Sequence, residues 1–324
     1  MPTPASPTFA VTNRVPEAAL ELLRATGEVR IDERDEALPR EELLGLVAGA
    51  DAILTLLHDR VDEELLAAAG PQLRCVANVA VGYDNVDLEA AARQGVVVTN
   101  TPGVLDDATA DLTLALILAA TRRIAEGDRL IRSGRPWVWG MHFMLGSGLR
   151  GKRLGIVGLG GIGRRVAERA RAFGMEIAYH SRHAAPVEVT AALEAERMPL
   201  QRLLAEADVV SLHCPLTPET RHLIGAAELA AMKPSAVLIN AARGPVVDEQ
   251  ALAEALAAGT IAAAGLDVYE HEPQVAPALL ELNNVVLAPH LGSATVETRT
   301  AMAELAARNA IAVVHGEEPP TPVR

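Results

Sequence analysis

The sequence predicts an α/β protein with a doubly wound parallel sheet, and three observations carry that reading. Apolar runs of strand length alternate with helical patterns along almost the whole chain, the rhythm that βαβ units leave in a sequence. The rhythm falls into two blocks with a long apolar helical stretch between them. The 324 residues, 50% of them hydrophobic, suffice for about two domains with cores of their own, at roughly 100–200 residues each.

In the first block, residues 8–11, 52–57, 75–77 and 96–99 read as strands, and 16–24 and 41–47 show helical periodicity. From 106 to about 132, apolar positions fall nearly all round one long helix, which predicts burial between domains or subunits. The second block opens after Gly151-Lys152-Arg153 with a strand at 154–157. It continues through strands at 176–179, 209–212, 237–239, 262–266 and 285–287, with helices between them, as a doubly wound sheet requires. A last helix, Val296–Val314, is expected to return to the first domain. There is no repeat at a solenoid period.

Composition excludes several functions. Asp and Glu number 42 against 29 Lys and Arg, a formal charge of −13 that repels nucleic-acid phosphates on average, so no nucleic acid is expected as a partner. Cys75 and Cys214 form no CxxC pair, which argues against a disulfide framework or a thiolate zinc site and fits a reducing cytoplasm. The first seven residues have neither the basic start nor the apolar run of a secretory leader. The longest apolar stretch, 112–120, is about half of a ~20-residue membrane span, so no membrane association is expected. His58, His142, His213, His222, His271 and His315 show no ligand spacing such as HExxH, and no metal is expected.

Gly158-Leu159-Gly160-Gly161-Ile162-Gly163 follows a strand and opens a helix, the context a GxGxxG needs to mark a dinucleotide site. Gly158 permits the tight turn, Gly160 lets backbone approach a pyrophosphate, and Gly163 lets helix pack on strand, while the helix N-terminus offers N–H donors to the anion. The next strand ends Tyr179-His180-Ser181-Arg182, with no carboxylate for the adenosine ribose hydroxyls. Ser181 offers a hydroxyl and Arg182 a fixed cation, a pair suited to a 2′-phosphate, which predicts NADP(H) as the preferred cofactor, with NAD(H) possible. The alternative is that Arg182 is a solvated surface charge. His180 and His183 flank this strand end and read as adenosine contacts or as solvated loop residues.

Three downstream segments, 240–244, 265–273 and 288–295, each follow or end a strand and would emerge at the carboxyl edge of the sheet, where α/β proteins bind ligands. With these the chain resembles the D-isomer-specific 2-hydroxyacid dehydrogenases, and among them the glyoxylate/hydroxypyruvate reductases, over nearly its whole length. The resemblance is carried by 80–87, 99–103, 107–111, the glycine loop, His213-Cys214-Pro215-Leu216-Thr217 and these three segments. It implies a Rossmann-type doubly wound domain, 101–290, inserted into a smaller flavodoxin-like α/β substrate domain, 1–100 plus 291–324, with 106–150 as dimerisation helix and arm.

The resemblance assigns Arg243, Glu272 and His290 as the catalytic trio and the backbone at Val81 and Gly82 as a carboxylate cradle. It adds Gly161, Ile162, Cys214, Pro215, Ala241, Ala242, Asp267 and Gly292, together with Arg243 and His290, to the cofactor contacts, and Leu57 and Trp139 to the substrate contacts. The chemistry suits a small 2-keto acid. A guanidinium can grip its carboxylate and ketone by paired charge-assisted bonds, and an imidazolium can donate the proton as charge grows on the ketone oxygen. Glu272 beside the imidazole favours its protonated form, so reduction is expected to fade as pH rises.

With three Phe, two Trp and three Tyr in the chain, Trp137 and Trp139 in one loop suggest a contact surface, and in similar reductases this segment crosses the interface of a homodimer. Local packing within one chain is the alternative. Gly161 departs from relatives with Arg or Lys in the loop, with Arg164 or Arg165 as candidates to compensate. Leu56, Leu57 and Met141 suit an unphosphorylated substrate. Phosphoglycerate dehydrogenase-like activity, 2-ketogluconate reduction and a nucleotide-sensing corepressor-like role stay open.

Overall fold

The computed structural model describes residues 6–323. Most of the stretch lacking a leader pattern, 1–5, and Arg324 lie outside the described residues. The chain divides into two compact units, 1–105 with 294–324 and 106–293. The boundaries fall at 105 and 293 rather than at 100 and 290 for local reasons. Asn100 N–H donates to the Thr321 carbonyl at 3.3 Å and Thr101 N–H to the Ala80 carbonyl at 2.8 Å, so both stay with the first unit. Leu291 and Gly292 N–H both donate to Asp267, which keeps them in the second.

The first unit is a five-stranded parallel sheet of β1 (Thr8–Val11), β2 (Glu28–Ile31), β3 (Ala52–Thr55), β4 (Cys75–Asn78) and β5 (Val97–Thr99), in the order β2-β1-β3-β4-β5. That is the flavodoxin-like order. Helices α1 (Glu17–Arg24), α2 (Arg40–Val47), α3 (Glu63–Ala69), α4 (Leu88–Arg93) and α13 (Val296–Val314) cover it. Side chains alternate across β1. Phe9 and Val11 pack with Leu23 and with Ala303, Ala306, Ala307 and Ala310 of α13, while Ala10 faces Ile53, Leu65 and Val76. The 3-4-7 spacing of those alanines gives α13 a smooth stripe against the sheet. Several details differ from the sequence reading, which placed no helix at α3 or α4. β2 was not foreseen, because its edge position leaves only two apolar residues in Glu-Val-Arg-Ile. β3 stops at Thr55, where Asp59 accepts the Leu56 N–H at 2.8 Å and turns the chain.

The second unit holds α5 (Asp106–Thr121), α6 (Ile124–Arg132), β6 (Arg153–Val157), α7 (Gly161–Ala172), β7 (Glu176–His180), α8 (Val187–Leu193), β8 (Glu196–Arg197), α9 (Leu200–Glu206) and β9 (Val209–Leu212). It continues with α10 (Ala226–Ala231), β10 (Val237–Asn240), α11 (Glu249–Ala258), β11 (Ala263–Leu266), α12 (Pro277–Leu280) and β12 (Val285–Leu287). All seven strands are parallel, in the order β12-β11-β10-β9-β6-β7-β8, the Rossmann-type order extended by one strand. The expected single helix from 106 to 132 is two helices. Arg123 adopts φ 55°, and the Thr121 carbonyl accepts from Ser147 N–H at 2.8 Å. α5 buries eight residues, but α6 buries none within this chain, so the burial expected for the whole stretch applies only to its first half.

Candidate active site

In a parallel sheet all strands end on the same edge, so the loops after β6, β7, β9, β10, β11 and β12 gather there. The direction of winding reverses between β6 and β9, where such sheets open a crevice.

The glycine loop occupies that crevice, and its backbone demands glycine. Gly158 sits at φ 100°, and a Cβ there would lie 2.7 Å from Cys214 N and the His213 carbonyl oxygen. A Cβ on Gly163 would press on the Gly158 carbonyl. α7 starts with no side-chain cap, so its first-turn N–H groups are left for an external acceptor. At Gly160 nothing lies within 4 Å of where a Cβ would stand, so the loop is open there, and a cradle of this shape fits a dinucleotide pyrophosphate. Gly161 has a local reason as well: the Asp106 carboxylate stands where its Cβ would be, and burial raises the pKa of that carboxyl. Arg164 turns back to the Leu159 carbonyl at 3.4 Å and Arg165 pairs with Glu168 at 3.0 Å, so both are engaged elsewhere.

Past β7, Ser181 Oγ donates to the His183 carbonyl at 2.6 Å, while Arg182 is exposed. His180 Nδ1 lies 3.1 Å from the Met198 carbonyl, which makes it a structural group at the strand end. After β9, burial pushes the Cys214 thiol up to about 11 and the His213 imidazole down to about 3, so both are neutral near pH 7. The Pro215 carbonyl accepts from Thr220 Oγ1 at 2.7 Å.

The trio is assembled by buried polar side chains at three successive strand ends. Asn240 closes β10, with Nδ2 donating to the Arg243 carbonyl at 2.9 Å and Oδ1 accepting the Ala242 N–H at 3.1 Å. The same turn carries Ala241, and Arg243 Nη1 donates to the Ala242 carbonyl at 2.9 Å. A Cβ on Gly244 would run into the Tyr269 carbonyl, so this turn lies directly on the loop after β11. There Glu272 Oε1 accepts the Tyr269 N–H at 3.0 Å and Oε2 lies 2.8 Å from His290 Nδ1. Burial works to raise the Glu272 pKa, but His290, the Tyr269 N–H and the Arg243 guanidinium outweigh it and hold the carboxyl below its ordinary range.

His290 itself is fixed through its backbone. Its N–H donates to the Asp267 carbonyl at 2.9 Å, and the Asp267 carboxylate accepts the N–H groups of Leu291 at 2.6 Å and Gly292 at 2.8 Å. Burial, the largest influence on Asp267, raises its pKa despite those two bonds. Tyr269 Oη donates to the Ala288 carbonyl at 2.9 Å, and Thr109 Oγ1 to the Gly292 carbonyl at 3.1 Å. With Nδ1 committed to Glu272, His290 Nε2 has no partner among the described residues. Asn240, Tyr269 and Thr109 were missed in the sequence. Asn240 alone left a signal, a polar residue closing the apolar run Val-Leu-Ile.

In the first unit, Asn100 Nδ2 holds the Val81 carbonyl at 2.8 Å and Asn78 Nδ2 the Gly82 carbonyl at 2.9 Å. Among the described residues the N–H groups of Val81 and Gly82 have no acceptor. Leu57 is half-buried in the turn after β3. In the 133–147 arm, Trp137 stacks on Phe143 at 5.9 Å but stays 51% exposed, and Trp139 is 73% exposed, so packing within the chain covers part of the first tryptophan alone. Among the described residues no cluster of three His, Cys, Asp or Glu could hold a metal, and no helix is long and apolar enough to cross a membrane.

A parallel sheet of this order with its glycine loop at the switch point defines a Rossmann-type dinucleotide-binding protein. The family profile described as D-isomer specific 2-hydroxyacid dehydrogenase, NAD binding domain, matches residues 114–292, and the chain belongs to that family. It is 51% identical over 319 residues to a glyoxylate reductase of Thermococcus litoralis, 97% of this chain and 96% of that one. A glyoxylate reductase from Paecilomyes thermophila has a similar structure, with a TM-score of 0.89 at 36% identity over 99% of each chain. An NADPH-dependent glyoxylate/hydroxypyruvate reductase from Sinorhizobium meliloti, solved with NADP and malonate, gives 0.85 at 37% identity over 98% of this chain and 97% of that one.

Proposed function

We propose that the protein reduces glyoxylate, and hydroxypyruvate with it, to glycolate or D-glycerate, with NADPH preferred over NADH. The observation that carries this reading is the 2.8 Å contact between His290 Nδ1 and Glu272 Oε2, which leaves Nε2 as the available proton donor at a strand-end crevice with Arg243 nearby. The relatives named glyoxylate reductase support the substrate class.

Arg243 grips the substrate carboxylate and ketone oxygen by charge-assisted bonds and so fixes which carbon faces the hydride. The nicotinamide, when bound, supplies that hydride. As negative charge grows on the ketone oxygen, His290 Nε2 donates its proton there, and the resulting product hydroxyl needs no further neutralisation. Glu272 orients the ring through its contact with Nδ1 and leaves Nε2 for the substrate. Asp267 keeps the His290 loop in place. With the Ser181 hydroxyl given to the His183 carbonyl, the exposed Arg182 offers the cation where a carboxylate would favour NADH, which supports the NADPH preference. The exposed arm with Trp139, and α6, form the contact of a homodimer in this reading.

Initial rates of NADPH and NADH oxidation with glyoxylate, hydroxypyruvate, 2-ketogluconate and phosphohydroxypyruvate test the proposal. NADPH-dependent turnover with the first two substrates is expected, and Arg182→Asp is expected to shift preference toward NADH. Faster turnover of either of the other two would reassign the substrate, and no turnover with any of the four would favour a nucleotide-sensing role.

A further inference from the structure

β8 closes the edge of the seven-stranded sheet with two exposed residues, paired so that Ala178 opposes Glu196 and Tyr179 opposes Arg197. The pairing is pinned by the Met198 N–H, which donates to the Tyr179 carbonyl at 2.9 Å, and by His180 Nδ1 at 3.1 Å from the Met198 carbonyl. Arg197 is thereby carried alongside the turn that follows β7. Its Nη2 donates to the carbonyls of Ser181 and Arg182, both at 3.1 Å.

A guanidinium carries five N–H donors. Those two bonds share one nitrogen, and Arg197 Nε and Nη1 have no partner among the described residues. The Arg182 side chain, next to it through this clamp, makes no hydrogen bond among the described residues. The nearby carboxylates do not cancel the pair. Glu196 is taken by Arg202 at 3.2 Å. Glu219 is held below its ordinary range chiefly by the Thr217 hydroxyl and its own backbone N–H, with Arg182 a lesser influence. In a chain of formal charge −13, this sheet end presents two guanidinium groups with donors to spare.

We propose that Arg197 is a specificity-determining residue for the ribose of the cofactor: it clamps the 181–183 turn and, with Arg182, presents cationic donors to a 2′-phosphomonoester. The proposal rests on the NADPH reading above and deepens it. The two clamped carbonyl oxygens would otherwise repel a dianion, and the Arg197 guanidinium neutralises them at the place where the phosphate arrives. Its planar fork suits a phosphate, as a point-charge ammonium does less well.

The test uses the full-length protein as wild type, Arg197→Met, Arg197→Lys and Arg182→Ala. Calorimetric titration with 2′,5′-ADP and with 5′-AMP is set beside KM for NADPH and for NADH. Arg197→Met is expected to weaken 2′,5′-ADP and raise KM for NADPH about tenfold, the loss of one charge-assisted contact, with 5′-AMP and NADH shifted less than about twofold. Arg197→Lys should recover part of the difference. Equal weakening of both nucleotides would reduce Arg197 to a structural clamp and overturn the proposal. Loss of discrimination in Arg182→Ala with none in Arg197→Met would also overturn it while the NADPH reading stands. Wild type that binds 2′,5′-ADP no tighter than 5′-AMP would instead remove the NADPH reading itself.

Discussion

The loops after β10, β11 and β12 and the arm at 133–147 are both irregular segments of the second unit, yet they are held in opposite ways. In the loops, Asn240 and Asp267 are buried and spend their polar atoms on backbone, and Tyr269 ties one loop to the next. In the arm, Val138, Trp139 and Met141 stand open to solvent, and only Trp137 and Phe143 pair. The difference separates two uses of irregular backbone. In the proposed function a proton donor must be in position before substrate arrives, and the His290 loop is fixed by several bonds at once. In the proposed homodimer the apolar segment that its own chain leaves bare meets the partner's surface.

Substitutions in the two regions should therefore fail differently. Arg243→Met should lower kcat/KM for glyoxylate by about a hundredfold or more, since two charge-assisted bonds to substrate are lost together, while circular dichroism stays that of the wild type. Asp267→Ala leaves the Gly292 N–H unpaired in the interior and takes the acceptor of the Leu291 N–H beside it. It should cost about 2 kcal/mol in denaturant unfolding and lower kcat as well, because the His290 loop is released.

Glu272 provides a pH signature. Its folded-state pKa lies below the ordinary 4.5, so its contribution to stability is full above that value and is lost as pH falls through the depressed one. Melting curves should accordingly show a gap between wild type and Glu272→Gln that is wide near neutrality and closes in acid; a gap independent of pH would contradict the pairing. The smallest effect on stability is expected in the arm. Trp139→Ala should change unfolding by no more than about 0.5 kcal/mol, and light scattering on dilution should instead show a weaker dimer.

Much of this was legible in the sequence because the signals are periodic or stereochemical. Strand runs and the strand-glycine-helix order fixed the class of sheet, and Gly158 and Gly163 are required by close approaches that no Cβ could share. The trio was named through motif resemblance; His290 Nδ1 stands 2.8 Å from Glu272, and the Arg243 charge acts on the same carboxyl. Where no local signal existed, the sequence was silent. The break at Arg123 has no glycine, proline or capping side chain, and depends on Ser147, which lies far along the chain, taking the Thr121 carbonyl. β2 at a sheet edge lacks the apolar run that central strands show. Arg197 reaches Ser181 only because β8 pairs beside β7, a long-range register that the residues around it do not announce.

The most direct test of the central claim is the single-turnover rate of glyoxylate reduction by His290→Asn. Asn tolerates the φ of 54° found at this position but cannot donate a proton as an imidazolium does. A fall of about a hundredfold to ten-thousandfold is expected, with NADPH binding and fold retained. Near-normal reduction by the folded variant would show that His290 is not the proton donor.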